Sequence, residues 1–292
     1  MSALSPTGPE LVGLRHAQEV IERILTRSGV DDAEAASQQG AGAIAPALAA
    51  LTLAREMIEP WEGLIHRRCR ITPAPGGAAQ PPPPRMRRTI REGWELIEVT
   101  AEVIVDDAAR LSPLAGPSLL HVRHDLARRL SPARDGAPRS AEGAAGEGAA
   151  AAEGAAAGRR LHLSGEDVAA WAGATGDDNP IHLHPGAARR AGLGTTGADV
   201  IAHGLLLAAL SLGVAPPAPA GPAGPAAPAG PAAPAAPVGP GAPAGPAGLD
   251  LLFPAALTVG PAGAGLIVDD DGSGWSAVGA RRVLRRRSVG PG

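Results

Sequence analysis

Ala174-Thr-Gly-Asp-Asp-Asn-Pro-Ile-His-Leu-His184 is the stretch on which the reading of this chain turns. Asp177 and Asn179 belong to the residue types that hydrogen-bond their own backbone and cap tight loops. Pro180 keeps the residue before it out of the helical region. The same segment carries a carboxylate and an imidazole, Asp177 and His182, the pair of groups that moves protons in acid–base catalysis. A third possibility is a metal site, since His182 and His184 form His-x-His beside Asp177 and Asp178. Downstream lies Ile201-Ala-His-Gly-Leu-Leu206, where Gly204 stands near the start of an apolar helix expected over Val200 to Leu212. Glycine there allows close approach to the backbone, and the N–H groups of a helix start favour negative charge.

Working outward, Leu161 and Leu163 suggest a short strand, and Ser164 with Asp167 forms a capping box for a helix. Beyond the apolar helix, strands are expected over Leu249 to Val259, Gly265 to Val268 and Trp275 to Leu284. Upstream, Leu11, Leu14, Ile21 and Leu25 mark an amphipathic helix ended at Gly29. Ile44, Leu48, Leu51 and Ile58 mark a second, ended by Pro60. Strands then fit Gly63 to Ile71, Trp94 to Val105 and Ser118 to Leu130, the middle one alternating with period two. Helix followed by strands, twice over, suggests a fused duplicate in which each sheet wraps one buried helix.

Two low-complexity segments divide the chain. Residues 140–158 are almost wholly Ala, Gly and Glu and read as a flexible linker. Residues 216–248 carry proline at every third position from Pro219 to Pro246, the period of polyproline II. The expected units are therefore an N-terminal half over 1–139, the linker, and a C-terminal half over 159–292 with 216–248 as an insertion.

Composition narrows the function. The chain has 292 residues, a net charge of -3 and no lysine. That balance gives no broad basic face for nucleic acid. The run Arg281, Arg282, Arg285, Arg286 and Arg287 reads as a strand with a solvated face, or as an anion patch. One cysteine, Cys69, excludes an internal disulfide; it reads as a small core residue. The apolar stretch from Val200 is too short to span a bilayer, and MSALSPTGPE has no signal-peptide pattern. The expectation is a cytoplasmic protein without membrane or nucleic-acid partners.

Asp177-Asp-Asn-Pro-Ile-His182, followed by His203-Gly204, resembles the MaoC-like family of (R)-specific enoyl-thioester hydratases and 3-hydroxyacyl-thioester dehydratases. With the Gly63 to Ile71 strand after its helix, the chain resembles the family's double-hot-dog type. The resemblance implies an α+β fold of two fused hot-dog halves, each an antiparallel sheet around a central helix. It implies that Asp177 and His182 activate water, that the Gly204 N–H takes the thioester oxygen, and that Asn179 shapes the loop. His203 is expected as a hydrogen-bonded residue at the helix start. His66, His121 and His124 lack this frame, so the N-terminal half is expected to be non-catalytic and to shape the substrate channel. The implied substrate is an acyl thioester of coenzyme A or acyl carrier protein, with no cofactor and no metal, in a monomeric pseudodimer or a homodimer. A hot-dog thioesterase and a non-catalytic acyl-binding subunit are the alternatives.

Overall fold

The structure, a computed structural model, describes residues 9–74, 81–105, 118–130, 158–214, 248–277 and 281–289. All but the last residue of the linker and of the proline-rich insertion lie outside them. The chain opens with two helices, α1 (Pro9–Arg27) and α2 (Ala33–Met57). Strands β1 (Ile65–Pro73), β2 (Arg85–Arg91), β3 (Trp94–Val105) and β4 (Ser118–Arg129) follow. After the linker come β5 (Arg159–Leu163), α3 (Gly165–Thr175), two short helices α4 (Pro180–Leu183) and α5 (Ala187–Arg190), β6 (Val200–Ile201) and α6 (Gly204–Val214). The last strands are β7 (Gly248–Leu252), β8 (Thr258–Val259), β9 (Ala264–Val268), β10 (Gly274–Ser276) and β11 (Arg282–Val289).

The architecture is α+β. A nine-stranded sheet runs β2-β3-β4-β1-β7-β11-β10-β9-β5, and β6 pairs with β8 apart from it. The β1–β7 pair, with Cys69 opposite Leu251, is antiparallel and joins strands from before the linker to strands from after it. Helices α2 and α6 lie side by side under the sheet, and their apolar residues share one core with β1, β4, β7 and β11. They approach so closely that a Cβ on Gly40 would sit 2.2 Å from the Ala209 carbonyl oxygen, and one on Gly213 2.5 Å from that of Ala36. Small residues permit this crossing.

Helix α3 begins as its capping box foretells: the Ser164 side chain accepts from the Asp167 N–H, and the Asp167 carboxylate accepts from the Ser164 N–H. That carboxylate is buried and also receives Arg23 and Arg27 of α1, which fixes α1 to α3. Burial raises its pKa, but the Arg27 guanidinium and the Ser164 hydrogen bonds outweigh that and hold the pKa below the usual carboxylate value.

Several boundaries differ from the sequence reading. Helix α2 begins at Ala33 rather than Ile44, because Ala36 and Gly40 pack on α6 without supplying large periodic residues. Helix α6 begins at Gly204; Val200 and Ile201 instead pair with Val259 and Thr258. The strand expected over Leu249 to Val259 is two, β7 and β8, separated at Pro254. That over Trp275 to Leu284 divides into β10 and β11, which pair with each other. Strand β2 lacked any apolar alternation, being an exposed sheet edge. It is held by a two-residue turn in which Glu92 (φ 53°) and Gly93 (φ 77°) are both left-handed. Cys69 is buried, as expected, and burial pushes its thiol pKa up.

Candidate active site

The turn after α3 delivers the acidic residue. Gly176 closes the helix in the left-handed region (φ 67°), and the Asp177 N–H donates back to the Ala172 carbonyl. Asn179 then caps α4 with its side chain, and Pro180 occupies the first turn. This one-turn helix turns His182 inward. Its Nδ1 lies 2.6 Å from the Ile201 carbonyl on β6. A carbonyl only accepts, so Nδ1 carries the proton and Nε2 is left with its lone pair.

Asp177 and His182 meet. The Oδ2 atom of Asp177 is 3.9 Å from His182 Nε2 and 3.4 Å from His203 Nε2. The two imidazoles stack, with centroids 3.5 Å apart and planes 23° from parallel. All three residues are buried. Burial lowers the His182 pKa, against the pull of Asp177 and the Ile201 carbonyl. Burial, then His182 and His66, lowers that of His203 well below the ordinary value. At neutral pH both rings are uncharged.

His203 stands at the start of α6, as expected, but among the described residues neither of its ring nitrogens makes a hydrogen bond. Its backbone carbonyl does open α6, accepting from the Leu207 N–H.

Residues from before the linker complete the site. Trp61 donates its indole N–H to Asp177 Oδ1 at 2.8 Å, and the Asn179 N–H binds the same oxygen. Asn179 itself ties the loop to the other half: its Oδ1 accepts from the Gly63 N–H, and its Nδ2 donates to the Leu64 carbonyl. Asp178 pairs with Arg55 at the end of α2. Trp61 and Arg55 carried no motif in the sequence, and only their placement reveals them.

A cavity of about 390 Å³ adjoins these groups, within the usual range for small-molecule sites. Its polar end holds Asp177, His182, His203 and Gly204; its apolar wall includes Leu48, Leu51, Leu126 and Leu207. A Cβ on Gly204 would meet the Phe253 ring at 3.1 Å, so glycine lets that ring lie on the start of α6. The first N–H groups of an α-helix lack partners within it, so α6 presents donors at this end of the cavity. Between His182 and His203 lies a segment that carries Gly192, Gly194 and Gly197. It folds as α5 and packs through Ala188 and Leu193 against Ile181 and Ile201.

His66 also lines the cavity, from the half expected to be non-catalytic. Its Nε2 is 2.9 Å from His124 Nδ1, and His124 Nε2 is 3.1 Å from the Ala47 carbonyl. The carbonyl fixes the proton on His124 Nε2, so His66 donates to His124.

Of the donor types for a metal, His184 and Asp178 are exposed and stand apart from His182. Asp177, His182 and His203 are the residues brought together.

Residues 149–221 match the family model described as "MaoC like domain", about a quarter of the chain. That span includes Asp177, Asn179, His182, His203 and Gly204. Among solved structures, one titled "MaoC-like dehydratase" aligns with a TM-score of 0.47 and 16% identity, over 96% of this chain and 94% of that one. No curated protein matches.

Proposed function

With residues 149–221 carrying a MaoC-like domain, we propose that the chain is a hydro-lyase that adds water reversibly to enoyl thioesters. In this reading it is a 3-hydroxyacyl-thioester dehydratase, or an (R)-specific hydratase in the reverse direction. The observation that carries the proposal is the convergence of Asp177 Oδ2 and the His182 Nε2 lone pair, 3.9 Å apart, on the cavity that Gly204 also lines. Two acceptors have no hydrogen to share, so they cannot bond each other directly. A water molecule between them donates one hydrogen to each, and its oxygen is left to attack.

In hydration, that oxygen bonds to C3 of the enoyl group, and His182 or Asp177 takes the proton it loses. C2 gains a proton from the same pair, so one water is added and nothing is oxidised. Negative charge builds on the thioester oxygen meanwhile, and in this reading the Gly204 N–H at the tip of α6 receives it. The acyl chain extends along the leucine-lined wall.

The same proposal reads the fold as a double hot-dog, with α2 and α6 as the two central helices and β1–β7 as the seam. The halves are 1–139, non-catalytic, and 159–292, catalytic. The support is the shared core of the two helices and the one sheet around them. The chain then acts as a pseudodimer, with coenzyme A or acyl carrier protein as the substrate's carrier.

The test is incubation with trans-2-enoyl thioesters on both carriers. The expected result is loss of the conjugated absorbance without release of thiol. Asp177→Asn and His182→Ala each lower kcat by about 10²–10⁴-fold. Thiol release, or full activity in both variants, overturns the proposal.

A further inference from the structure

The starts of β1, β3 and β11 and the ends of β4 and β7 lie along one edge of the nine-stranded sheet. The pairing places them there: Trp94 stands opposite Arg129, Ile65 opposite Ala127, and Leu252 opposite both Arg68 and Arg285. Three arginines on this edge line the cavity: Arg67 on β1, Arg129 at the end of β4 and Arg281 just before β11. Each is exposed. Phe253, whose ring rests on Gly204, donates its backbone N–H to the Arg67 carbonyl, so the arginine edge adjoins the start of α6.

The charge of these arginines is uncompensated. No carboxylate pairs with any of the three among the described residues, whereas Arg55 and Arg128 close by are paired with Asp178 and Glu95. Arg129 lies 5.5 Å from the Trp94 ring centroid, a contact that orients a guanidinium without neutralising it. Among the described residues Asp177 is the one carboxylate that lines the cavity. Burial keeps His66, His182 and His203 uncharged at neutral pH. A cleft with an excess of one sign concentrates ligands of the other. Of the basic run near the C-terminus it is Arg281 that lines the cavity, while Arg282 lies over the Trp275 ring at 4.2 Å.

We propose that Arg67, Arg129 and Arg281 take the phosphates of coenzyme A, which makes the nucleotide thioester, rather than the carrier-protein thioester, the form in which substrate arrives. Guanidinium groups match phosphate oxygens through paired N–H donors. Coenzyme A carries a pyrophosphate and a ribose phosphate beyond its pantetheine arm, whereas a carrier protein brings a single phosphodiester. Three separate unpaired guanidinium groups suit the first. The thioester at the other end of the arm then reaches Gly204 and the Asp177–His182 pair. The choice of carrier rests on the proposed function; the anion-binding edge does not.

Calorimetric titration with coenzyme A, dephospho-coenzyme A and pantetheine tests the site without turnover. The expected result is saturable binding of coenzyme A, several-fold weaker binding of the dephospho form and at least about 100-fold weaker binding of pantetheine, with added salt weakening the first most. Arg67→Ala, Arg129→Ala and Arg281→Ala each lower the affinity about fivefold, as exposed ion pairs do, and the triple variant lowers it about 100-fold. Arg87→Ala, on the outer strand β2 and away from the cavity, leaves it unchanged. Circular dichroism checks folding; should Arg129→Ala fail to fold through loss of its contact with Trp94, Arg67→Ala and Arg281→Ala decide. No saturable binding of coenzyme A overturns the proposal, as does equal affinity for pantetheine or undiminished affinity in the arginine variants. A higher kcat/KM on the enoyl-acyl carrier protein than on the enoyl-coenzyme A overturns the choice of carrier. Arginine-dependent binding of coenzyme A without hydration of its enoyl thioester counts against the hydratase reading and leaves the anion-binding edge standing.

Discussion

His124 shows how a single buried residue sets a property of the whole chain. Burial lowers its pKa from the ordinary 6.5 to about 4. Between those values the unfolded chain binds more protons than the folded one, so its contribution is complete above about pH 6.5 and is lost as pH falls toward 4. The size is on the order of 3 kcal/mol. His66, His182 and His203 are displaced in the same direction. Thermal midpoints should therefore drop steeply between pH 6.5 and 4, and His124→Gln should remove about one proton's share of the slope. At the same scale, Trp61→Phe deletes the indole donor to Asp177. A hydrogen bond to a charged group contributes about 1.5–3 kcal/mol, so kcat/KM on an enoyl thioester should fall about 10–100-fold. Steady-state kinetics with the fold verified checks this.

At the scale of elements, the decisive contact is the crossing of α2 and α6. Side chains larger than those of Gly40 and Gly213 meet backbone there, and backbone cannot swing aside as a side chain can. Gly40→Ala gains about 1 kcal/mol of helix propensity, but overpacking costs about 1–3 kcal/mol. We expect a net loss for alanine and a larger one for Gly40→Leu, read from urea midpoints at constant slope. The capping box of α3 is the opposite case. Ser164 and Asp167 were legible because the signal is local, although the sequence did not show that Arg23 and Arg27 converge on the same carboxylate.

Across the whole molecule, neither half is finished without the other. Helix α6 is buried from Leu205 to Leu212, partly against α2, and β7 pairs with β1 on one side and β11 on the other. The Asp177–His182 loop hangs from Gly63 and Leu64 through Asn179. A fragment of residues 158–292 should therefore expose apolar surface and an open strand edge. On size-exclusion chromatography it should run as an aggregate, and co-expression with 1–139 should restore a compact species. A monodisperse, folded fragment would count against this view.

The sequence by itself determined the groups and their local frame: the Asp177–His182 loop, the Ser164 cap, the apolar helix that holds Leu205 to Leu212 and most of the strands before and after the linker. These depend on neighbours in the chain, whose spacing carries the signal. Tertiary structure alone decided which distant groups serve that frame. Trp61 reaches Asp177, His66 lines the cavity, and His203 stacks on His182. The physical reason is that such contacts are set by how sheet and helices pack, where no fixed spacing along the chain prescribes the meeting.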